Sequence, residues 1–174
     1  NLHFEGIMIF FLVLSFYVLL KGKWHIAAVI FAASISVKLI PLLLLPLFFN
    51  YFISQNNHIK NSRSSGFKRL IGFYAIVGIT TLLLFLPFFS LQFIDNYTAT
   101  VGLWFSNFEF NASLYYVARQ MGFWISGYNQ IAVIGKAISV ITIFTLMLLA
   151  LFRRNLSFKE LLTTMLFGLS IYYF

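Results

Sequence analysis

Ser36-Val37-Lys38-Leu39-Ile40-Pro41-Leu42-Leu43-Leu44-Leu45-Pro46 interrupts what would otherwise be one apolar stretch from Ile26 to Ile53. Read as a single helix, that stretch is unusually long and buries Lys38 near the middle of a bilayer. Both of its flanks are basic, with Lys21 and Lys23 before it and Lys60, Arg63, Lys68 and Arg69 after it. Lys and Arg clustered beside apolar runs mark the cytoplasmic side. Both flanks therefore lie on the same side, and an even number of crossings separates them. A hairpin of two short helices, 26–37 and 41–53, with Lys38-Leu39-Ile40-Pro41 at its tip, meets that condition. Each arm is about 18–22 Å long at 1.5 Å per residue, which falls short of the ~30 Å hydrocarbon core. The tip is thus expected in a cavity below the outer surface, because non-helical backbone at depth must be buried in protein or line water. The competing reading is one long tilted helix whose Lys38 reaches back to the interface along its own stem.

Composition agrees with a membrane protein. Hydrophobic residues make up 61% of the 174 and charged residues only 9%, against roughly 25% charged in a soluble domain. A net charge of +8 would suggest nucleic acid in a soluble protein. Here the bases sit in short clusters between apolar runs, so they read as topology signals and no nucleic-acid partner is expected. The absence of cysteine excludes disulfides and thiol metal sites. The chain opens on Asn1 and ends at Phe174 inside an apolar run, and is expected to be a fragment of a larger protein.

Outward from the hairpin, the expected spans are 6–20, 70–89, 131–152 and 161–174, all in one transmembrane domain. The first ends at Lys21-Gly22-Lys23-Trp24 and the span 131–152 at Arg153-Arg154. On this scheme nine of the twelve bases are cytoplasmic, the exceptions being Lys38, Arg119 and Lys136, and Glu5, Asp95 and Glu109 are outside. The segment 90–127 becomes an outer loop rich in Tyr and Trp, as suits a membrane–water interface. The fold expected is all-α, a polytopic helical bundle with a re-entrant-type hairpin and an interfacial helix in the outer loop.

That interfacial helix is read from Asn111-Ala112-Ser113-Leu114-Tyr115-Tyr116-Val117-Ala118-Arg119. Asn111 is a good N-cap, and Asn111, Tyr115 and Arg119 then form one polar stripe at i, i+4 and i+8. His3, Glu5, Lys38, Asp95, Glu109, Asn111 and Arg119 are the polar residues that topology leaves unexplained, and all fall towards the outer face. Ionisable groups in such places are costly and mark functional sites by default. Arg119 suits a forked contact with phosphate, or a salt bridge to Glu109 or lipid headgroups. No phosphate loop, HExxH or GxSxG is present. No metal-ligand cluster appears, so no cofactor is expected, with a divalent metal left open. Cations at an outer cavity suit group transfer from a lipid phosphate, whose leaving group needs positive charge as it departs.

Leu2-His3-Phe4-Glu5-Gly6 leading into a span, the Lys38–Pro46 segment, and Phe110–Tyr116 followed by Arg119 resemble, in that order, the membrane-embedded GT-C glycosyltransferases. The resemblance is nearest to the polyprenyl-phosphate-sugar-dependent mannosyltransferases. It implies a donor sugar, mannose or another hexose, carried on polyprenyl phosphate. It also implies a glycan, lipid or protein acceptor, inversion at the anomeric carbon, and an active face outside the cytoplasm. It places the catalytic carboxylate in a first outer loop, expected upstream of Asn1. Carried over, Lys38 and Arg119 bind donor phosphate, while His3, Glu5, Glu109, Asn111 and Tyr115 shape the substrate pocket. The bacterial inner membrane is the expected location, or the ER membrane in a eukaryote. The rival classes are a lipid-linked-saccharide transporter or polymerase, and a non-catalytic membrane subunit.

Overall fold

The computed structural model describes residues 2–54, 63–107, 112–128, 130–153 and 157–173. Among them the chain is helical throughout. It runs α1 (Leu2–Leu20), α2 (Trp24–Val37), a 3₁₀ helix (Ile40–Leu47), α3 (Phe48–Ser54) and α4 (Arg63–Phe85). A 3₁₀ turn at Leu86–Phe88 follows, then α5 (Leu91–Asn107), α6 (Ala112–Ser126), α7 (Ile131–Phe152) and α8 (Phe158–Tyr173). Two compact units form, one from Asn1–Phe88 with Met147–Met165, the other from Phe89–Leu146 with Leu166–Phe174.

In the first unit, α1 closes on a left-handed glycine. Gly22 has φ +76°. Its N–H donates to Leu19 O at 2.9 Å and the Lys23 N–H donates to Val18 O at 3.3 Å. This is the Schellman pattern, which reverses the chain at low steric cost. α2 then returns antiparallel along α1. The Ser15 hydroxyl donates to Ala27 O at 2.8 Å and the Ser34 hydroxyl donates to Met8 O at 2.9 Å, both buried. Moving from 15 back to 8 on α1 matches moving from 27 forward to 34 on α2, about two helical turns on each. Ala27, Ala28 and Ala32 are fully buried. Small residues of this kind let helix backbones approach closely where lipid supplies no hydrophobic drive.

α2 ends at Val37, and Lys38 is extended (φ −155°, ψ 137°). The break and the hairpin expected there are present. The second arm differs from expectation in its winding, since residues 40–47 are 3₁₀ before α3 begins. Pro41 and Pro46 explain this. Each lacks an N–H, and each disfavours the α conformation in the residue before it. A 3₁₀ helix rises about 2.0 Å per residue, so the arm is longer than an α-helix of equal residue count. It reaches back far enough for Tyr51 and Phe52 to line a small pocket with Leu19, Gly22, Trp24 and Arg69. The Tyr74 hydroxyl of α4 donates to Leu45 O at 2.9 Å and ties the arm in place.

The centre of this unit is aromatic. Phe31, Phe48 and Phe73 are wholly buried, with ring centroids 5.4 Å apart for Phe31–Phe48 and 4.9 Å for Phe48–Phe73. Such offset and edge contacts add to the dispersion energy of burial.

The end of α7 is held from α3. Asn50 Nδ2 donates to Ala150 O and, at 3.0 Å, to Arg153 O. These carbonyls belong to the last turn, which has no intrahelical donors. Asn50→Leu is expected to lower thermal stability by about 1 kcal/mol and to speed tryptic cleavage at Arg153. Unchanged cleavage would show that this cap contributes nothing. α8 opens on a capping box. The Ser157 N–H donates to Glu160 Oε2 at 3.0 Å, and the Glu160 N–H donates to Ser157 Oγ at 3.2 Å, satisfying two free donors reciprocally.

Gly66–Phe88 and Val133–Phe152 are long and apolar enough to cross a membrane, and Phe4–Leu20, Trp24–Val37 and Ile40–Ile53 are shorter apolar helical segments. Only 17% of the Gly66–Phe88 span is buried, and Leu82, Leu83 and Leu86 lie on the surface. Apolar surface so extensive suits contact with lipid. This is a helical membrane bundle, as expected from composition. The segment read as an outer loop contains two helices, α5 and α6, in the second unit. The expected interfacial helix corresponds to α6, whose exposed residues include Val117, Met121 and Trp124.

Candidate functional site

The register of α1 on α2 determines which residues meet at the hairpin tip. Continuing past the Met8–Ser34 contact brings Glu5, in the first turn of α1, opposite Lys38. Lys38 Nζ donates to Glu5 Oε1 at 2.7 Å. The two side chains are 34% and 39% exposed, so the pair is open to solvent or to a ligand on one side. The Lys38 hydrogen bond, then its charge, holds the Glu5 carboxyl below the usual carboxylate range. The carboxylate form is therefore favoured at neutral pH, and the stabilisation is lost as pH falls through the lowered value. Glu5 precedes the apolar run that starts at Gly6.

Counted along α1, Glu5 and Lys21 are about 24 Å apart. Lys21 and Lys23 flank the Gly22 turn, and Arg69 lines the small pocket beside that turn. The basic clusters of the first unit and the Lys38–Glu5 pair thus occupy opposite ends of it.

A second feature lies along the arm that follows the tip. An apolar cavity of about 380 Å³ is lined by Leu42, Leu45, Pro46, Phe49, Tyr74 and Met147, among others. Of its lining residues, Leu42 stands nearest Lys38 in the chain, four residues beyond it. The sequence reading had not singled out Tyr74 or this cavity. Tyr74 is one hydroxyl in an apolar run, and only its bond to Leu45 O shows that it braces the cavity wall.

Of the other predicted site residues, Tyr115 and Arg119 lie on α6 in the second unit. Tyr115, a candidate pocket residue, is 2% exposed. The Arg119 guanidinium sits 5.1 Å from the centre of the Tyr116 ring, a cation–π distance. Asp95, on α5, is exposed. Glu109, Asn111 and the His3 side chain lie outside the described residues, as does the postulated Glu109–Arg119 contact. Among the described residues no three His, Cys, Asp or Glu side chains are grouped to hold a metal ion. What the first unit offers is one cation, partly shielded by one carboxylate, at a helix break beside an apolar cleft.

Residues 1–101 match the ALG6, ALG8 glycosyltransferase family. The chain belongs to that family. Comparison with curated proteins and with solved structures returned no match. The ALG6, ALG8 family is one of GT-C membrane glycosyltransferases, so the chain is part of the class that its sequence resembles. The matched segment contains α1, α2, the 3₁₀ arm, α3 and α4, and with them Glu5, Lys38 and Tyr74. Tyr115 and Arg119 fall after it.

Proposed function

We propose that this protein transfers a hexose from a polyprenyl-phosphate donor to an acceptor hydroxyl on the non-cytoplasmic side of its membrane. The observation that carries the reading is the apolar cleft whose wall starts at Leu42, four residues beyond Lys38 in the chain. A polyprenyl phosphate needs both features, a dry cleft for its chain and a cation for its head. In the reaction, the acceptor oxygen bonds to the anomeric carbon as the bond from that carbon to the phosphate oxygen breaks. The phosphate leaves with the electron pair, and a general base takes the acceptor's proton. Lys38 stabilises the charge that grows on the phosphate. Arg119 is assigned by resemblance as a second phosphate cation, and Asn111, Tyr115, Glu109 and His3 as residues of the substrate pocket.

The sequence resemblance put mannose first. Membership in the ALG6, ALG8 family weighs towards glucose on a dolichyl carrier, with a glycan acceptor, in the ER membrane. The test is transfer of radiolabelled glucose and mannose from polyprenyl phosphate by membranes containing the full chain. Transfer of the glucosyl group is the expected result, and transfer of neither sugar would overturn the assignment.

Orientation is proposed from the charge asymmetry. The end bearing Lys21, Lys23, Lys68 and Arg69 faces the cytoplasm, and the Lys38–Glu5 end faces away from it. The sequence contains no cysteine, so single-cysteine labelling needs no background removal. In sealed microsomes, which expose the cytoplasmic face, Lys21→Cys is expected to react with an impermeant maleimide, and Asp95→Cys only after the membrane is permeabilised. The reverse pattern would invert the scheme.

A further inference from the structure

We infer that Glu5 is an exchangeable counter-ion of Lys38 that disfavours the spent lipid phosphate more than the loaded donor. The inference rests on the reading of Lys38 as a donor-phosphate ligand.

Three features lead to it. First, among the described residues the pair meets through one contact, Nζ to Oε1. An ammonium has three donors, so two remain for an incoming oxygen while Glu5 still holds the third. Second, both side chains are about one-third exposed, and exposed pairs of this kind are weakly held. Third, the pair is held by helix register. The buried Ser15 and Ser34 bonds lock α1 against α2. The Glu5 carboxylate therefore stays near any anion that binds Lys38, even when it no longer touches the lysine.

The chemistry of the two lipid species then gives the carboxylate a role. A sugar joined to a lipid through phosphate is a diester with one negative charge. The lipid phosphate left after transfer is a monoester, which carries about −1.5 to −2 at pH 7. Lys38 attracts both species and Glu5 repels both. The repulsion grows with ligand charge, so the carboxylate weakens retention of the product relative to the donor. Its hydrogen bond to Lys38 suits it poorly to proton abstraction, and it is assigned here as a positioning residue and not as the general base.

The experiment measures, for the full chain in lipid nanodiscs, the KM of polyprenyl-phosphate-sugar and the inhibition constant of polyprenyl phosphate. Glu5→Gln and Glu5→Ala remove the charge, and Ala is a strong helix former at this helical position. In both variants the ratio of product inhibition constant to donor KM is expected to fall by roughly two- to fivefold, the range that exposed charge pairs support. Glu5→Asp, which keeps the charge, is expected to leave the ratio near that of the parent. Lys38→Gln should weaken both ligands. If the neutral variants leave the ratio unchanged while Lys38→Gln weakens both ligands, the counter-ion role is wrong and the phosphate site stands. If Lys38→Gln changes neither constant, the phosphate reading fails and the inference fails with it. If neither neutral variant accumulates as folded protein, the pair is a structural necessity and exchange is overturned.

Discussion

Lys38→Ala is expected to lower sugar transfer from polyprenyl phosphate by on the order of a hundredfold or more in turnover. The reason lies in timing. Negative charge on the phosphate increases as its bond to the sugar breaks, so the ammonium contributes most in the transition state and turnover falls more than KM rises. Removing the lysine also leaves Glu5 beside the phosphate with no cation to offset it, which adds to the loss. Arg119→Ala is a separate test of the second assigned cation. Arg119→Lys should not restore full turnover there, because an ammonium cannot make the forked contact of a guanidinium. A residue that only anchors a helix end predicts the opposite pattern, lower yield with unchanged activity per folded molecule. Near-normal turnover of folded Lys38→Ala would remove the lysine from the mechanism.

The second large effect is on stability. Phe31→Ala is expected to cost about 3 kcal/mol or more, as large-to-small changes in closed cores do. Phe31 is fully buried, and its ring meets those of Phe16, Phe48 and Phe73 from α1, α3 and α4 at 6.5, 5.4 and 6.1 Å. Those three elements surround it, so the void cannot close by a shift of one neighbour. The control is Phe67→Ala. Phe67 is half exposed on α4, and its loss should change stability by within about 0.5 kcal/mol. Thermal unfolding of the detergent-solubilised protein reads both. Equal melting shifts for the two variants would mean that this ring cluster is not the centre of the unit.

Much of this architecture is legible in the sequence. The break at Lys38 follows from a charge and two prolines inside an apolar stretch, and the shared sign of the flanks requires the chain to turn back. What could not be read was the winding of the second arm. Apolar periodicity over so short a run does not separate α from 3₁₀, and local propensity fixes only that prolines disturb it. The Asn50 cap was equally hidden, since its acceptors lie 100 and 103 residues away. The capping box at Ser157 and Glu160 was readable from its spacing alone.

The candidate site was legible in part. Seven polar residues were expected at one outer cavity. Of these, the structure shows Glu5 and Lys38 in direct contact. That pairing depends on the sliding register of two apolar helices, and the buried serines set it. Serines in a hydrophobic run show no partner in the sequence. Tyr115 illustrates the opposite limit. Its place in an i, i+4 stripe with Asn111 and Arg119 suggested an open face, yet the residue is buried, because helical spacing fixes a direction and not what lies in it.

The 3₁₀ winding of residues 40–47 has a consequence for the shape of the apolar cleft. With three residues per turn, side chains at i and i+3 eclipse one another and stack in straight columns parallel to the axis. One column, Pro41, Leu44 and Leu47, is buried. The next, Leu42 and Leu45, forms cavity wall. An α-helix would slant these rows around its surface, so a trough along it would wander. A trough bounded by an eclipsed column runs straight along that side. For the polyprenyl carrier proposed above, a straight wall would let the linear run of isoprene units lie along it without turning.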